Sequence, residues 1–242
     1  MYFSEKRFSD LGTGTKALLL FMFFLVAAGT IYSIQLTWRI LSQEKLMMDQ
    51  RVFDFVRATS GEGQEWFFQS ISKLGSVVVL ATASVLILLY FLFLSSHSKW
   101  LGLYFALGMA GVSLITKLAK MSTSRDRPEF MGDYHGSTSS FPSGHTSGAV
   151  VFYGFMMYVI GASKLGRKWK AAIHLLLTFI IVGISMSRVY LGVHYFSDLV
   201  TGFFLGCVWL ALCITGFEMT MRYRVKRKRA EEDEESQALG NL

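Results

Sequence analysis

Charged and apolar positions are segregated along this chain into long blocks. No Asp, Glu, Lys or Arg occurs in residues 17–38, 74–98, 100–116, 136–163, 171–187 or 199–217, and these runs hold more than half of the 242 residues. A soluble domain would scatter charge through every amphipathic element. A helix that crosses a bilayer instead needs about 20 consecutive, mostly apolar residues to span a hydrocarbon core of roughly 30 Å. The pattern predicts an all-α, polytopic membrane protein with six transmembrane helices. Residues 39–73, between the first two runs, are too polar to span. Within them Met48, Val52, Phe53, Phe55 and Val56 recur among Asp49, Arg51, Asp54 and Arg57, a spacing that predicts a short interfacial helix. Trp66, Phe67 and Phe68 follow and suit the aromatic belt at the headgroup level. The segment reads either as simple anchoring or as the rim of a lipid entrance.

Composition narrows the class further. With 52% hydrophobic residues, irregularly placed Gly and only two Cys, the chain is not disordered, collagenous or stapled by disulfides. Cys207 and Cys213 sit six apart in one apolar run, pointing about 240° apart around a helix, and read as small core residues rather than a bridge or a zinc site. The net charge of +7 reports topology before it suggests nucleic acid, for which no role is expected. With six crossings and a cytoplasmic N-terminus, 14 of the 24 Lys and Arg fall inside, notably Lys164, Arg167, Lys168, Lys170 and the run 222–229. Both termini are therefore expected in the cytoplasm. The first apolar run is longer than a signal-peptide core and is read as a retained anchor. Residues 1–217 form the expected membrane domain and 218–242 a charged cytoplasmic tail, in which Lys226, Arg227, Lys228 and Arg229 precede Glu231, Glu232, Asp233, Glu234 and Glu235.

Candidate chemistry gathers in the outside loops. The only two prolines bracket one of them: Lys120, Arg125, Asp126 and Arg127 precede Pro128, while Pro142, Ser143, Gly144 and His145 lead into the fourth run. A Pro-Ser-Gly helix start presents unpaired N–H groups at the positive end of the helix dipole, a ready anion site. The last outside loop carries Arg188, His194 and Asp198. If a helix begins near His194, that residue and Asp198 lie one turn apart, close enough for the carboxylate to hold a ring nitrogen. Three cations, a helix start and two histidines on one face suit a phosphoryl group of about −1.5 to −2 charge. Arg125 and Asp126 are expected to pair with each other or to face water, and Lys117 to snorkel. His135 reads as a loop residue, and His97 and His174 as polar residues of the cytoplasmic side.

Lys120 with six residues to Arg127-Pro128, then Pro142-Ser143-Gly144-His145, then Ser187-Arg188 with five residues to His194 and three to Asp198, resembles the three-part signature of the type 2 phosphatidic acid phosphatase (PAP2) superfamily, in its integral-membrane lipid phosphatase branch. The motifs span residues 120–198 in the order of the signature, and no position departs from it. The resemblance implies hydrolysis of a lipid phosphomonoester or diphosphate through a phosphohistidine, with no metal or other cofactor, at an extracytoplasmic site. It makes His194 the nucleophile, Asp198 its orienting partner and His145 the acid and base. Lys120, Arg127, Arg188, Ser143 and Gly144 become the phosphate ligands. The partners implied are a membrane lipid and the bilayer; oligomeric state is not legible. Undecaprenyl diphosphate is the favoured substrate, with phosphatidylglycerol phosphate or phosphatidic acid as the alternative. A non-catalytic lipid-binding or translocating protein, and a vanadate-dependent haloperoxidase, are the rivals from other classes.

Overall fold

The computed structural model describes residues 13–44, 46–59, 61, 63–94, 99–128 and 139–240, so His97, His135, Lys45, Glu129 and Asp133 lie outside the described residues. Among the described residues all regular structure is helical. Six helices match the charge-free runs: α1 (Thr13–Leu41), α4 (Val77–Leu89, continued by a π-helical turn over Tyr90–Leu94), α5 (Lys99–Ser122), α6 (Gly144–Ala162), α7 (Arg167–Tyr190) and α8 (Phe196–Gly240). All six are long and apolar enough to cross a membrane. The segment between α1 and α4 holds two helices rather than the single one its spacing predicts, α2 (Met47–Thr59) and α3 (Gln64–Lys73). Gly63, at φ 93°, separates them, and the aromatic triplet opens α3, with Trp66 77% exposed. The last helix does not stop at residue 217. Its 45 residues reach about 68 Å at 1.5 Å per residue, twice a bilayer core, and Arg227–Glu231 and Lys228–Glu232 pairs line the exposed extension.

Helix α8 is the centre of the bundle, packed against α6, α1 and α5. Lipid tails are as apolar as Leu, so close approach rather than hydrophobic burial drives such packing. The α6–α8 seam follows that logic through Gly202 and Gly206, one turn apart. A Cβ on Gly202 would lie 2.6 Å from the Ser143 carbonyl oxygen, and one on Gly206 would lie 2.9 Å from Val150 Cβ. Phe105, Phe152, Phe155 and Phe217 fill the space between α5, α6 and α8, with the Phe105 and Phe155 rings 5.2 Å apart. Large apolar side chains such as Phe93, Leu94 and Leu175 cover the outside. The N-terminal ends of α4, α6 and α8 and the C-terminal ends of α1, α5 and α7 share one end of the bundle, where α2 and α3 pack against α7 and α8.

Candidate active site

The turn from α7 to α8 explains the spacing of its motif. Gly192 adopts φ 66° just past the end of α7, the left-handed position that reverses a chain after a helix and that glycine occupies without strain. The N–H groups of Val193 and His194 then fold back onto the carbonyl of Arg188 at 3.0 and 3.2 Å. The residues between Arg188 and His194 are thus the last turn of a helix plus its reversal. Helix α8 starts at Phe196, two residues later than the sequence suggests, and the pairing arises across that helix start. Asp198 Oδ2 accepts the Tyr195 N–H at 2.9 Å, one half of a capping box, and lies 3.3 Å from His194 Nδ1. Asp198 is fully buried and His194 only 4% exposed. An ionised carboxylate only accepts, so Nδ1 carries the proton and Nε2 keeps its lone pair. Burial pushes the His194 pKa below its ordinary 6.5, and the hydrogen bond and charge of Asp198 offset part of that shift. The imidazole is neutral at pH 7.

Opposite this turn, the segment 123–128 after α5 and the segment 139–143 before α6 run side by side. Ser140 N–H donates to the Arg125 carbonyl at 3.0 Å, and Ser140 Oγ donates to that of Asp126, also at 3.0 Å. Thr123 Oγ1 donates to the Phe141 carbonyl at 3.0 Å. Lys120, in the last turn of α5, donates to the Ser139 carbonyl at 2.6 Å. Arg127 donates through one terminal nitrogen to the Val193 carbonyl at 3.0 Å, while its buried Nε makes no hydrogen bond among the described residues. Arg188, 6% exposed, donates to Ser72 Oγ of α3 at 2.7 Å. Each of the three cations is thus held by a neighbour.

Ser143 is the N-cap of α6, its Oγ accepting from the Thr146 N–H at 3.4 Å and from Thr146 Oγ1 at 3.1 Å. Its own N–H is taken up by the Asp198 carbonyl at 3.1 Å. Ser143 therefore ties the α6 start to the α8 start, and Gly144 is the residue whose N–H stands at the opening of the helix. His145 follows on the first turn, against the α3–α4 turn, where a Cβ on Gly75 would lie 3.4 Å from His145 Cδ2. The charges of Arg188, Lys120 and Arg127 all act on His145, and those of Arg127, Asp198 and Arg188 on Lys120. The eight residues nominated from the sequence therefore form one cluster.

Some neighbours differ from expectation. Arg125 neither pairs with Asp126 nor faces water: one terminal nitrogen contacts Asp198 Oδ1 at 2.5 Å and Ser197 Oγ at 2.7 Å, and the other contacts Asp49 Oδ2 at 2.6 Å. Its guanidinium also lies 4.1 Å from the centre of the Tyr195 ring. Asp49, counted above among the polar positions of the interfacial helix, is 5% exposed. The available signal was its register, since Asp49 shares a face with Val52, Phe53 and Val56, so the acid sits in the apolar stripe. Arg125 and Ser72 carried no such signal. Lys117 is exposed, and His174 bonds the Lys170 carbonyl near the start of α7, away from the site.

The match to known proteins agrees with this geometry. The family model described as PAP2 superfamily matches residues 101–222. Phosphatidylglycerophosphatase B of Bacillus subtilis is 30% identical over 87% of this chain and 99% of its own length. A lipid A 1-phosphatase of Rhizobium johnstonii is 28% identical over 48% of this chain and 47% of its own. In three dimensions, the crystal structure of a transmembrane PAP2 type phosphatidylglycerolphosphate phosphatase from Bacillus subtilis superposes with a TM-score of 0.63, at 27% identity, covering 84% of this chain and 95% of that one. With all three motifs folded into one cluster at one end of a six-helix bundle, the chain belongs to the PAP2 superfamily, in its integral-membrane lipid phosphatase branch.

Proposed function

We propose that this membrane lipid phosphatase hydrolyses a glycerophospholipid phosphomonoester of the phosphatidylglycerol phosphate class through a phosphohistidine on His194, without a metal ion. The observation that carries the mechanism is the His194 Nδ1 to Asp198 Oδ2 contact of 3.3 Å, which leaves Nε2 as a neutral nucleophile. Nε2 attacks phosphorus as the bond to the lipid oxygen breaks, and His145 gives that oxygen its proton. The phosphate dianion offsets the positive charge of Lys120, Arg127 and Arg188 around His145, which favours a proton on its imidazole for this step. Water then attacks the phosphohistidine, His145 takes the proton of that water, and the P–N bond breaks to release phosphate.

Lys120, Arg127, Arg188 and the Gly144 N–H stabilise the equatorial oxygens, the electrostatic contribution that dominates phosphoryl transfer. They do the neutralising that a divalent ion does elsewhere. The buried carboxylates that border the site, Asp198 and Asp49, are already engaged by His194, Arg125, Tyr195 and Ser197. The choice of substrate moves from the prenyl diphosphate favoured on sequence to the glycerophospholipid. The support is the 30% identity, along almost its whole length, to a relative named phosphatidylglycerophosphatase B. The distribution of basic residues supports an extracytoplasmic site with cytoplasmic termini.

Purified protein in detergent, given phosphatidylglycerol phosphate, phosphatidic acid and undecaprenyl diphosphate with and without EDTA, tests the chemistry. Fastest phosphate release from the first, unchanged by EDTA, is expected. Preference for the diphosphate overturns the substrate, and loss with EDTA overturns the metal-free mechanism. In sealed vesicles of known orientation, inhibition by a membrane-impermeant oxyanion from the cytoplasmic side alone would overturn the topology.

A further inference from the structure

One edge of Asp198 holds His194; a second buried carboxylate stands behind its other edge. Oδ2 of Asp198 serves His194 and the Tyr195 N–H, and Oδ1 receives Arg125. Arg125 in turn spans to Asp49 Oδ2. Asp49 also accepts the Ser197 N–H at 2.8 Å on Oδ1 and the Ser197 hydroxyl at 2.7 Å on Oδ2. Asp49 comes from α2, Arg125 from the segment after α5, and Ser197 and Asp198 from the first turn of α8. These links join residues 73 to 148 positions apart in the chain.

We infer that Asp49 and Arg125 are positioning residues for the nucleophile, through which α2 holds the carboxylate that orients His194. This rests on His194 and Asp198 being the nucleophilic pair. With its edge to Arg125 removed, the Asp198 carboxylate keeps contacts on Oδ2 alone and loses its buried counter-charge. It is then free to turn about its own axis, and the His194 ring it holds turns with it. A nucleophile so loosened spends less time in line with phosphorus, a kind of misplacement that costs up to about 100-fold in rate. Neither Asp49 nor Arg125 is placed to touch the phosphate, because both guanidinium edges of Arg125 face carboxylates. Substrate affinity is therefore expected to be spared.

The test uses the full chain in detergent with phosphatidylglycerol phosphate as the probe, measuring kcat and KM for Asp49→Asn, Arg125→Lys, Arg125→Gln, the Asp49→Asn/Arg125→Gln double variant and Asp198→Asn. Arg125→Gln is expected to lower kcat by about 10- to 100-fold with KM within about twofold, a signature of a contribution felt in the transition state alone. Arg125→Lys, which restores charge but spans only one carboxylate, should fall between it and wild type. Asp49→Asn should lose less than Arg125→Gln, and the double variant should lose no more than Arg125→Gln, because Asp49 acts through Arg125. Losses that multiply in the double variant, or a raised KM with kcat unchanged, would overturn the inference. Should Arg125→Gln fail to fold, Asp49→Asn decides alone: kcat equal to wild type overturns it. An Asp198→Asn enzyme as active as wild type would instead defeat the underlying nucleophile assignment.

Discussion

The two ends of the bundle hold their buried polar groups in different ways. Around the site, Asp198 alone receives Tyr195 N–H and His194 from its own helix start and Arg125 from the segment after α5, so these members are coupled. Toward the opposite end, three side-chain contacts each join a pair of helices. Tyr104 and Thr220 lie 2.9 Å apart, Trp209 donates to the Gly108 carbonyl at 3.0 Å, and Tyr158 donates to Glu218. There the geometry is set by Phe105, Phe155 and Phe217, and each polar tie stabilises a helix pair without specifying an orientation for any catalytic atom. Networked polar groups give angular precision where the proposed mechanism needs phosphorus to meet nitrogen in line. Isolated ties among aromatic rings give adhesion.

The largest effect expected to separate the two is His194→Gln. The imidazole is buried, so glutamine, which fills more of its volume than alanine, is the cleaner removal of the nucleophile. Phosphate release should fall by at least about 1,000-fold, roughly 4 kcal/mol of barrier, while thermal unfolding in detergent stays within a few degrees of wild type. Activity within about tenfold of wild type would end the assignment.

Next in size, Gly202→Ala should destabilise the α6–α8 seam by about 1–3 kcal/mol, because its Cβ meets the Ser143 carbonyl at 2.6 Å, a backbone atom that cannot yield cheaply. Gly154→Ala faces only Leu210 Cδ2 at 2.5 Å, the far end of a flexible side chain, and should cost under about 1 kcal/mol. Equal melting temperatures for the two variants would show that the site end is no more rigid than the middle of the bundle.

Stability should also respond to pH through the site. The folded pKa of His194 is depressed, with burial as the main cause. Its contribution is therefore present above the unfolded value of about 6.5 and is lost as pH falls through the lower folded value. Wild-type protein should lose thermal stability between pH 7 and 5 more steeply than His194→Gln, and parallel curves would contradict a buried neutral imidazole. The smallest effect on catalysis is expected from Tyr158→Phe, which removes the donor to Glu218. It should cost about 1–2 kcal/mol of stability and leave kcat unaltered; a tenfold fall in kcat would show that the two ends are coupled.

The six crossing helices, and the gathering of the eight nominated residues at one end of them, were legible in the chain itself. Charge exclusion from a bilayer writes a crossing helix as a continuous run, and the nominated residues sit at short distances from helix ends. Arg188, His194 and Asp198 could be read together because one helix end, one reversal and one helix start place them. The use of the Ser143 N–H was not legible, since its acceptor is the Asp198 carbonyl, on a different helix. The partners of Asp49 and Arg125 were beyond reach for the same reason, although the register of Asp49 marked its burial. A charged residue in a polar segment looks solvated until its partner is known, and the partners here are 76 and 73 positions away in sequence. Local sequence determines which segments become helices and where they start and stop, because those energies are set within a few turns. Which buried charge meets which is decided by the packing of α2, α7 and α8, since desolvated charges must find partners wherever the fold brings them.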